Sequence, residues 1–311
     1  MGRLAEIEAF VKIVEAGGVG AAAERLDIAK SVVSRRLRDL EARLGVRLLQ
    51  RTTRRISLTE VGRAYHERCL RILADLEEAD QAATQEHGTL RGRLRVAAPL
   101  TFGIMHLGPA IPAFLEANPE MSIELDLNDR RHDLVDEGFD LAVRIGKLED
   151  SSLIARKLAR VRNVACASPA YLARHGRPER PEDLVNHSGL RYTNVPERRS
   201  WTWLDGEGQE RSVSVPFRFA ANNGEILVTA AEAGLGIMVH PVFIVHRAIE
   251  EGRLEVVLPD VEWREISAYA VWPQGQQLSA KVRAFVDFLA ERFGDPPYWE
   301  RCLDKSNGRA T

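Results

Sequence analysis

KSVVSRRLRDLEARL, the run Lys30–Leu44, decides the reading of this chain. Val33, Leu37, Leu40 and Leu44 recur at helical spacing on one face, and Gly45 follows where the helix should stop. The opposite face carries Lys30, Ser31, Ser34, Arg35 and Arg38, short hydroxyls beside long cations. Just upstream, Ala21, Ala22, Ala23 and Leu26 form a short second helix of small residues, and Asp27-Ile28-Ala29 makes a tight connection. Two short helices joined by a tight turn, the second polar and cationic outward, fit a helix-turn-helix. That geometry lays its second helix in the major groove of duplex DNA.

Working outward, Ile7, Phe10, Val11 and Val14 give an amphipathic first helix, ended by Gly17-Gly18. On the other side, Val46–Leu58 alternates apolar and polar residues around Arg51, Thr52, Thr53, Arg54 and Arg55. This reads as a β-hairpin wing whose arginines contact phosphates or the minor groove. The charge supports it: Lys30–Arg55 holds nine basic and two acidic residues, although the whole chain has a net charge of −2. Positive charge concentrated beside a helix-turn-helix is an electrostatic footprint for nucleic acid rather than a merely solvated face.

Thr59 can cap a fourth helix running to about Glu86, because that stretch has no proline and only Gly62 near its start. Tyr65, Cys69, Ile72, Leu76, Ala79 and Ala83 follow heptad spacing along it. The seam predicts dimerisation, with packing against the chain's own body as the competing reading. His66 and Cys69 sit one turn apart, but no second His/Cys pair lies nearby to complete a metal site.

After Gly88–Gly92 the pattern changes to alternating strands and helices. Strands are expected at Leu94–Ala98, Ser122–Leu127, Leu141–Ile145, Val161–Ser168, Ile237–His240 and Ile266–Val271. Helices are expected at Ile104–Ala117, Arg131–Glu137, Pro169–Arg174, Asn223–Ala233, Pro241–Glu250 and Ser279–Phe293. Such alternation implies an α/β architecture with ligand clefts at the carboxyl ends of strands. Cys69, Cys166 and Cys302 are too few and too far apart for a disulfide framework. Cys166, in an expected strand, behaves as a small apolar residue. No secretion signal or membrane-length apolar run is present, so a soluble, cytoplasmic chain is expected. Gly234-x-Gly236 is only a weak echo of a dinucleotide loop, and no phosphate loop or nucleophile elbow accompanies it. Catalysis and a resident cofactor are therefore not expected.

Several runs together resemble the LysR-type transcriptional regulators. They are Phe10-Val11…Val14-Glu15-Ala16-Gly17, Ala21-Ala22-Ala23…Leu26 and Ser31-Val32-Val33-Ser34-Arg35. Leu40-Glu41…Leu44-Gly45-Val46…Leu48-Leu49…Arg51 and Leu58-Thr59…Gly62 continue the signature. Asp140–Gly146, Ala167–Leu172 and Gly234–Ile237 are similar to effector-domain elements of that family, in the same order. The resemblance covers nearly the whole chain apart from the tail after Gly294. It implies a winged helix-turn-helix over 1–58 and a linker helix over 59–88. An effector domain over 89–295, two-lobed like periplasmic binding proteins, would follow, with a tail at 296–311. Lobe 1 would comprise about 89–160 and 267–295, and lobe 2 about 161–266, with crossovers near Val161–Ala165 and Glu262–Ala268.

The resemblance further implies a homodimer or homotetramer that bends its operator, a small organic effector between the lobes, and RNA polymerase as a partner. Effector contacts would come from Leu100, Thr101, Phe102, Asn128 and Arg144 in one lobe. Asn194, Asn222, Asn223 and Ile237 would supply the other. Thr101 with nearby backbone N–H groups could hold a carboxylate; Arg144 is a second anion contact, or else the partner of an acid such as Asp140. The family usually has Ser or Thr where Gly20 and Ala29 stand, and Gln at Lys30. Lys favours guanine acceptors or a phosphate where Gln pairs with adenine, so base preference can differ while the fold survives. An architectural DNA-binding protein with a ligand-independent effector domain is the alternative.

Overall fold

The computed structural model describes residues 2–51, 56–83, 89–130, 133–147, 153–194, 200–273 and 278–306. It divides into two compact units, Met1–Gly88 and Thr89–Thr311. The first contains α1 (Arg3–Ala16), α2 (Val19–Arg25), α3 (Lys30–Leu44), the antiparallel pair β1 (Leu49–Arg51) and β2 (Ile56–Leu58), and α4 (Glu60–Ala83). Helix α2 begins ahead of its alanine run, at Val19. Ile7, Phe10 and Ile13 of α1 meet Ala22 of α2 and Val33, Leu37 and Leu40 of α3 in one buried cluster. The turn between α2 and α3 passes through Asp27 at φ +51°, left-handed backbone that a short polar side chain tolerates.

The wing is tied to the helices by three devices. Glu41 on α3 accepts the backbone N–H of Leu48 at 2.8 Å and of Leu49 at 3.2 Å. Thr59 caps α4 by accepting the Gly62 N–H at 2.9 Å, while its hydroxyl donates to the Arg47 carbonyl at 2.9 Å. Gly62 itself must be glycine, because a Cβ there would lie 2.0 Å from the Leu48 carbonyl oxygen. Arg43 adds a bond to Glu6 at 2.9 Å, joining α3 to α1.

The second unit opens with β3 (Arg91–Ala98), α5 (Leu100–Phe102), a π-helical turn at Gly103–Leu107, and α6 (Ile111–Ala117). The single helix expected over Ile104–Ala117 is thus broken: it starts earlier and is interrupted between Leu107 and Ile111. Next come β4 (Glu120–Leu127), α7 (Leu134–Glu137), β5 (Leu141–Gly146) and β6 (Leu153–Val161). The chain then builds β7 (Asn163–Ala167), α8 (Pro169–His175), β8 (Gly189–Tyr192), β9 (Ser200–Leu204), β10 (Glu210–Ser214) and β11 (Phe217–Ala221). It continues through α9 (Gly224–Glu232), β12 (Ile237–Pro241), α10 (Val242–Glu250), β13 (Glu255–Val257) and β14 (Glu262–Trp263). It closes with β15 (Ile266–Pro273), α11 (Ala280–Phe293), a 3-10 turn at Tyr298–Glu300 and α12 (Arg301–Ser306).

Two five-stranded mixed sheets form two lobes, ordered β4-β3-β5-β15-β6 and β11-β8-β12-β7-β13. A small antiparallel sheet, β10-β9-β14, attaches to the second lobe. The chain leaves the first sheet after β6, crosses through Arg162, and returns between β14 and β15. On β3, Leu94, Val96 and Ala98 feed one apolar cluster while Ala97 feeds another, so both faces of the first sheet are covered. One cluster runs without a break from Leu94, Val96 and Phe285 to Cys166, Leu227, Met238 and Val242. The lobes therefore share a core. Among the described residues no single helix is long and apolar enough to cross a membrane.

Candidate nucleic-acid interface and interlobe cleft

Helix α3 separates its two faces cleanly. Val33, Leu37 and Leu40 are fully buried, whereas Lys30, Ser31, Arg35 and Arg38 are exposed and Ser34 is half-buried. The start of the helix at Ala29 has no side-chain cap, as the sequence suggested. Arg51 ends β1, and Thr52, Thr53, Arg54 and Arg55 of the wing lie outside the described residues. Glu41 was not singled out from the sequence, yet its carboxylate fixes where the wing strand leaves the helix that carries the exposed cations. The sequence offers little signal for it: Glu41 is one of two acids, with Asp39, among the bases of α3.

The seam on α4 divides into two parts. Cys69 is fully enclosed in the first unit's own core, and half-buried Tyr65 stacks at a tilt 5.9 Å from Phe10. Burial raises both the Cys69 thiol and the Tyr65 phenol above their ordinary values. The dimer role expected of Cys69 is overturned by its burial in the chain's own core, while half-buried Tyr65 packs on Phe10 at the same end of the helix. Ile72 and Leu76, one and two turns on, are 48% and 39% exposed. Ala79 and Ala83 continue the helix, with their side chains outside the described residues. His66 packs edge-on against Phe10.

In the second unit, Thr101 and Asn223 meet across the lobes, the Asn223 amide donating to Thr101 Oγ1 at 3.4 Å. Asn223 also caps α9, its Oδ1 accepting the Ile226 N–H at 3.1 Å. The start of α5 is capped differently: Asp129 Oδ1 accepts the Leu100 N–H at 2.9 Å. A carboxylate of the chain itself thus sits where an effector carboxylate was expected, beside Thr101. Asn128 is exposed and folds onto the Arg130 N–H. Asn194 donates to the Tyr192 hydroxyl at 3.2 Å and to the carbonyl of exposed Asn222 at 3.3 Å. Burial, with a smaller push from the Asp129 charge, raises the Tyr192 phenol.

Two expected contacts are not cleft residues. Phe102 is 0% exposed and packs edge-on against Phe243 and Phe293, because the short α5 turns it inward. Ile237 is likewise fully buried, in the apolar cluster with Ala165, Tyr171 and Val257. Arg144 is half-buried on β5 opposite Tyr269. Its suggested partner Asp140 instead accepts from the Arg95 N–H at 2.7 Å and lies 3.4 Å from Lys281. Beyond the end of β5 lies an open hollow of about 320 Å³ lined by Gly146, Lys147, Glu265, Ile266, Ser267 and Tyr269.

Further residues stand around the Thr101–Asn223 contact and its neighbours. Asp129 follows Asn128 at the end of β4, and Tyr192 ends β8. His240 on β12 stands edge-on to Tyr192; its Nε2 is buried with no hydrogen-bond partner among the described residues, and burial pushes its pKa to about 4. Gly224 makes room for that ring, since a Cβ there would lie 2.8 Å from Nε2.

Comparison with known proteins agrees with this architecture. Residues 4–63 match the family described as bacterial regulatory helix-turn-helix protein, lysR family, and residues 87–294 match the LysR substrate binding domain. An uncharacterized HTH-type transcriptional regulator of Haemophilus influenzae is 39% identical, covering 91% of this chain and 98% of its own. The regulator CrgA of Neisseria meningitidis serogroup B is 36% identical over 93% of this chain and 97% of its own. The solved structure of CrgA from Neisseria meningitidis superposes with a TM-score of 0.59, covering 92% of this chain and 97% of that one. Full-length AphB, the Vibrio cholerae virulence activator, gives 0.57 at 30% identity, covering 94% and 99%. With a DNA-reading first unit, a two-lobed second unit and relatives aligned across both, the chain belongs to the LysR-type transcriptional regulators.

Proposed function

We propose that this regulator sets the face of α3 carrying Lys30, Ser31, Ser34, Arg35 and Arg38 into the major groove, with Arg51–Arg55 of the wing on the flanking backbone. The observation that carries this reading is the split of α3 into a sealed aliphatic face and an exposed cationic one. Exposure of Ile72 and Leu76 on α4 supports pairing of two copies, and hence two half-sites, with a tetramer as the working assembly. A cytoplasmic location follows from a DNA target. Replacing Arg38 by Ala should weaken operator binding roughly tenfold and lower the salt slope by about 0.9 for a lost phosphate contact. Arg35→Ala should in addition relax sequence preference. Unchanged footprints and salt slopes in both variants would remove α3 from the groove.

The effector reading places a small molecule between Thr101, Asn223, Asn194 and Tyr192, shifting how the assembly binds or bends its operator. Asp129 at the start of α5 favours an uncharged, hydrogen-bonding molecule over the carboxylate expected from sequence, because two carboxylates on one site repel. A thermal-shift screen of uncharged and anionic metabolites, repeated on Asp129→Asn, tests this. Stabilisers should be uncharged in the parent chain, with anions gaining in the variant. If no molecule stabilises either chain and footprints never change, the architectural, ligand-independent reading takes its place.

A further inference from the structure

The matched family segment ends at residue 294, but the described chain continues to Ser306 and folds back into the second unit. Trp299 is 0% exposed. Its ring centroid lies 4.7 Å from His106, 5.4 Å from Phe293, 6.1 Å from Phe102 and 6.3 Å from Phe243. Phe102, His106 and Phe293 belong to the first lobe, and Phe243 opens α10 of the second. One indole therefore packs on both lobes at once. Next to it, the Tyr298 hydroxyl lies 2.5 Å from His106 Nδ1, while His106 Nε2 lies 3.1 Å from the Phe243 carbonyl. A carbonyl only accepts, so Nε2 carries the proton, and Nδ1 accepts from Tyr298. That makes a continuous chain from tail to first lobe to second lobe. Glu300 reaches toward Arg162, the single residue between β6 and β7, at 3.9 Å.

We propose that the tail, Asp295–Ser306, is an interlobe strap, with the Tyr298–His106–Phe243 chain as its clasp and Trp299 as its wedge. A segment that only stabilised one lobe would bury its aromatic residues in that lobe, whereas this one joins α5, α10, α11 and the first crossover. It adds to the two crossovers, the Thr101–Asn223 hydrogen bond and the Phe102–Phe243 contact between lobes that share one core. The strap also lies directly behind the cleft, because Phe102, which packs on Trp299, follows Thr101. Tyr298, His106 and Trp299 are positioning residues: they set the separation at which Thr101 and Asn223 face each other without touching the cleft themselves.

The test uses the full chain with spin labels at Glu116→Cys on α6 and Ala173→Cys on α8, both exposed positions, one per lobe. The native cysteines are buried and stay unlabelled. The Tyr298→Phe variant keeps the ring and removes the clasp. It should broaden the interlobe distance distribution and speed amide exchange roughly tenfold in both Leu100–Leu107 and Val242–Glu250. A chain ended after Gly294 should broaden it further. An unchanged distribution in Tyr298→Phe, or faster exchange confined to one of the two segments, would overturn the strap. If the shortened chain does not fold, the Tyr298→Phe result decides alone.

Discussion

The first unit encloses aliphatic side chains behind a face of exposed cations, whereas the second encloses aromatic rings, histidines and hydroxyls where its lobes meet. Ile13, Val33, Leu37 and Leu40 are fully sealed in α1 and α3, and a buried acid there, Glu6, is held by Arg43. In the second unit Thr101, His106, His240 and His246 are all buried, and His240 Nε2 has no hydrogen-bond partner among the described residues. The difference follows from the two tasks. A docking surface needs a stiff scaffold with its chemistry outside, while a responsive cleft keeps polar groups inside, where losing a partner is costly. Each region should therefore fail in its own way.

The sharpest break is Gly62→Ala. The added Cβ meets a backbone carbonyl that cannot rotate away, so the first unit should lose about 3 kcal/mol. Calorimetry should show the first unit's transition moving down while that of the second stays in place. A single shifted transition would show that the units do not melt separately.

The second contrast is in pH. Burial lowers His106 from 6.5 to about 3 and His240 from 6.5 to about 4, and it lowers His246 and His187 as well. In this range the unfolded chain binds protons that the folded one refuses, so the stabilisation is complete above pH 6.5. It is lost progressively as pH falls toward the folded values, with a slope of up to about 1.4 kcal/mol per pH unit for each histidine. Chemical denaturation between pH 7.5 and 4.5 should show the second unit weakening, and His240→Phe should flatten that slope. A flat profile in the parent chain would refute the burial argument. The smallest effect is expected for Glu41→Gln, which keeps one acceptor for the Leu48 and Leu49 amides. A loss of about 1 kcal/mol in the first unit, with weaker DNA binding, should follow.

The same contrast explains what could be read from the sequence. Helix α3 was legible to the residue because its apolar spacing and its Gly45 stop are both local. Strand β6 was missed because only Leu158, Ala159 and Val161 of Leu153–Val161 are buried, which destroys the alternation a strand should show. The β9–β10 hairpin was missed too, since its register depends on pairing Trp201 with Val213 and Trp203 with Arg211. In the cleft, Thr101 and Asn223 were found and do meet, but Asp129 caps an amide 29 residues away in sequence, which no spacing rule encodes. The family resemblance implies Phe102 and Ile237 as cleft contacts, whereas packing turns both inward. Nor did anything local announce that Trp299, in a tail set aside as an appendage, would be among the most enclosed side chains in the molecule.

The three cysteines, one in the first unit and two in the second, are all buried, and burial pushes Cys166 and Cys302 up to about 12. A thiol in that condition holds its proton and meets no reagent while the fold is intact. Alkylation in native buffer thus becomes a clock for unfolding rather than a map of the surface. Modification of Cys69 would time the opening of the DNA-reading unit, and that of Cys166 and Cys302 the opening of the two-lobed one.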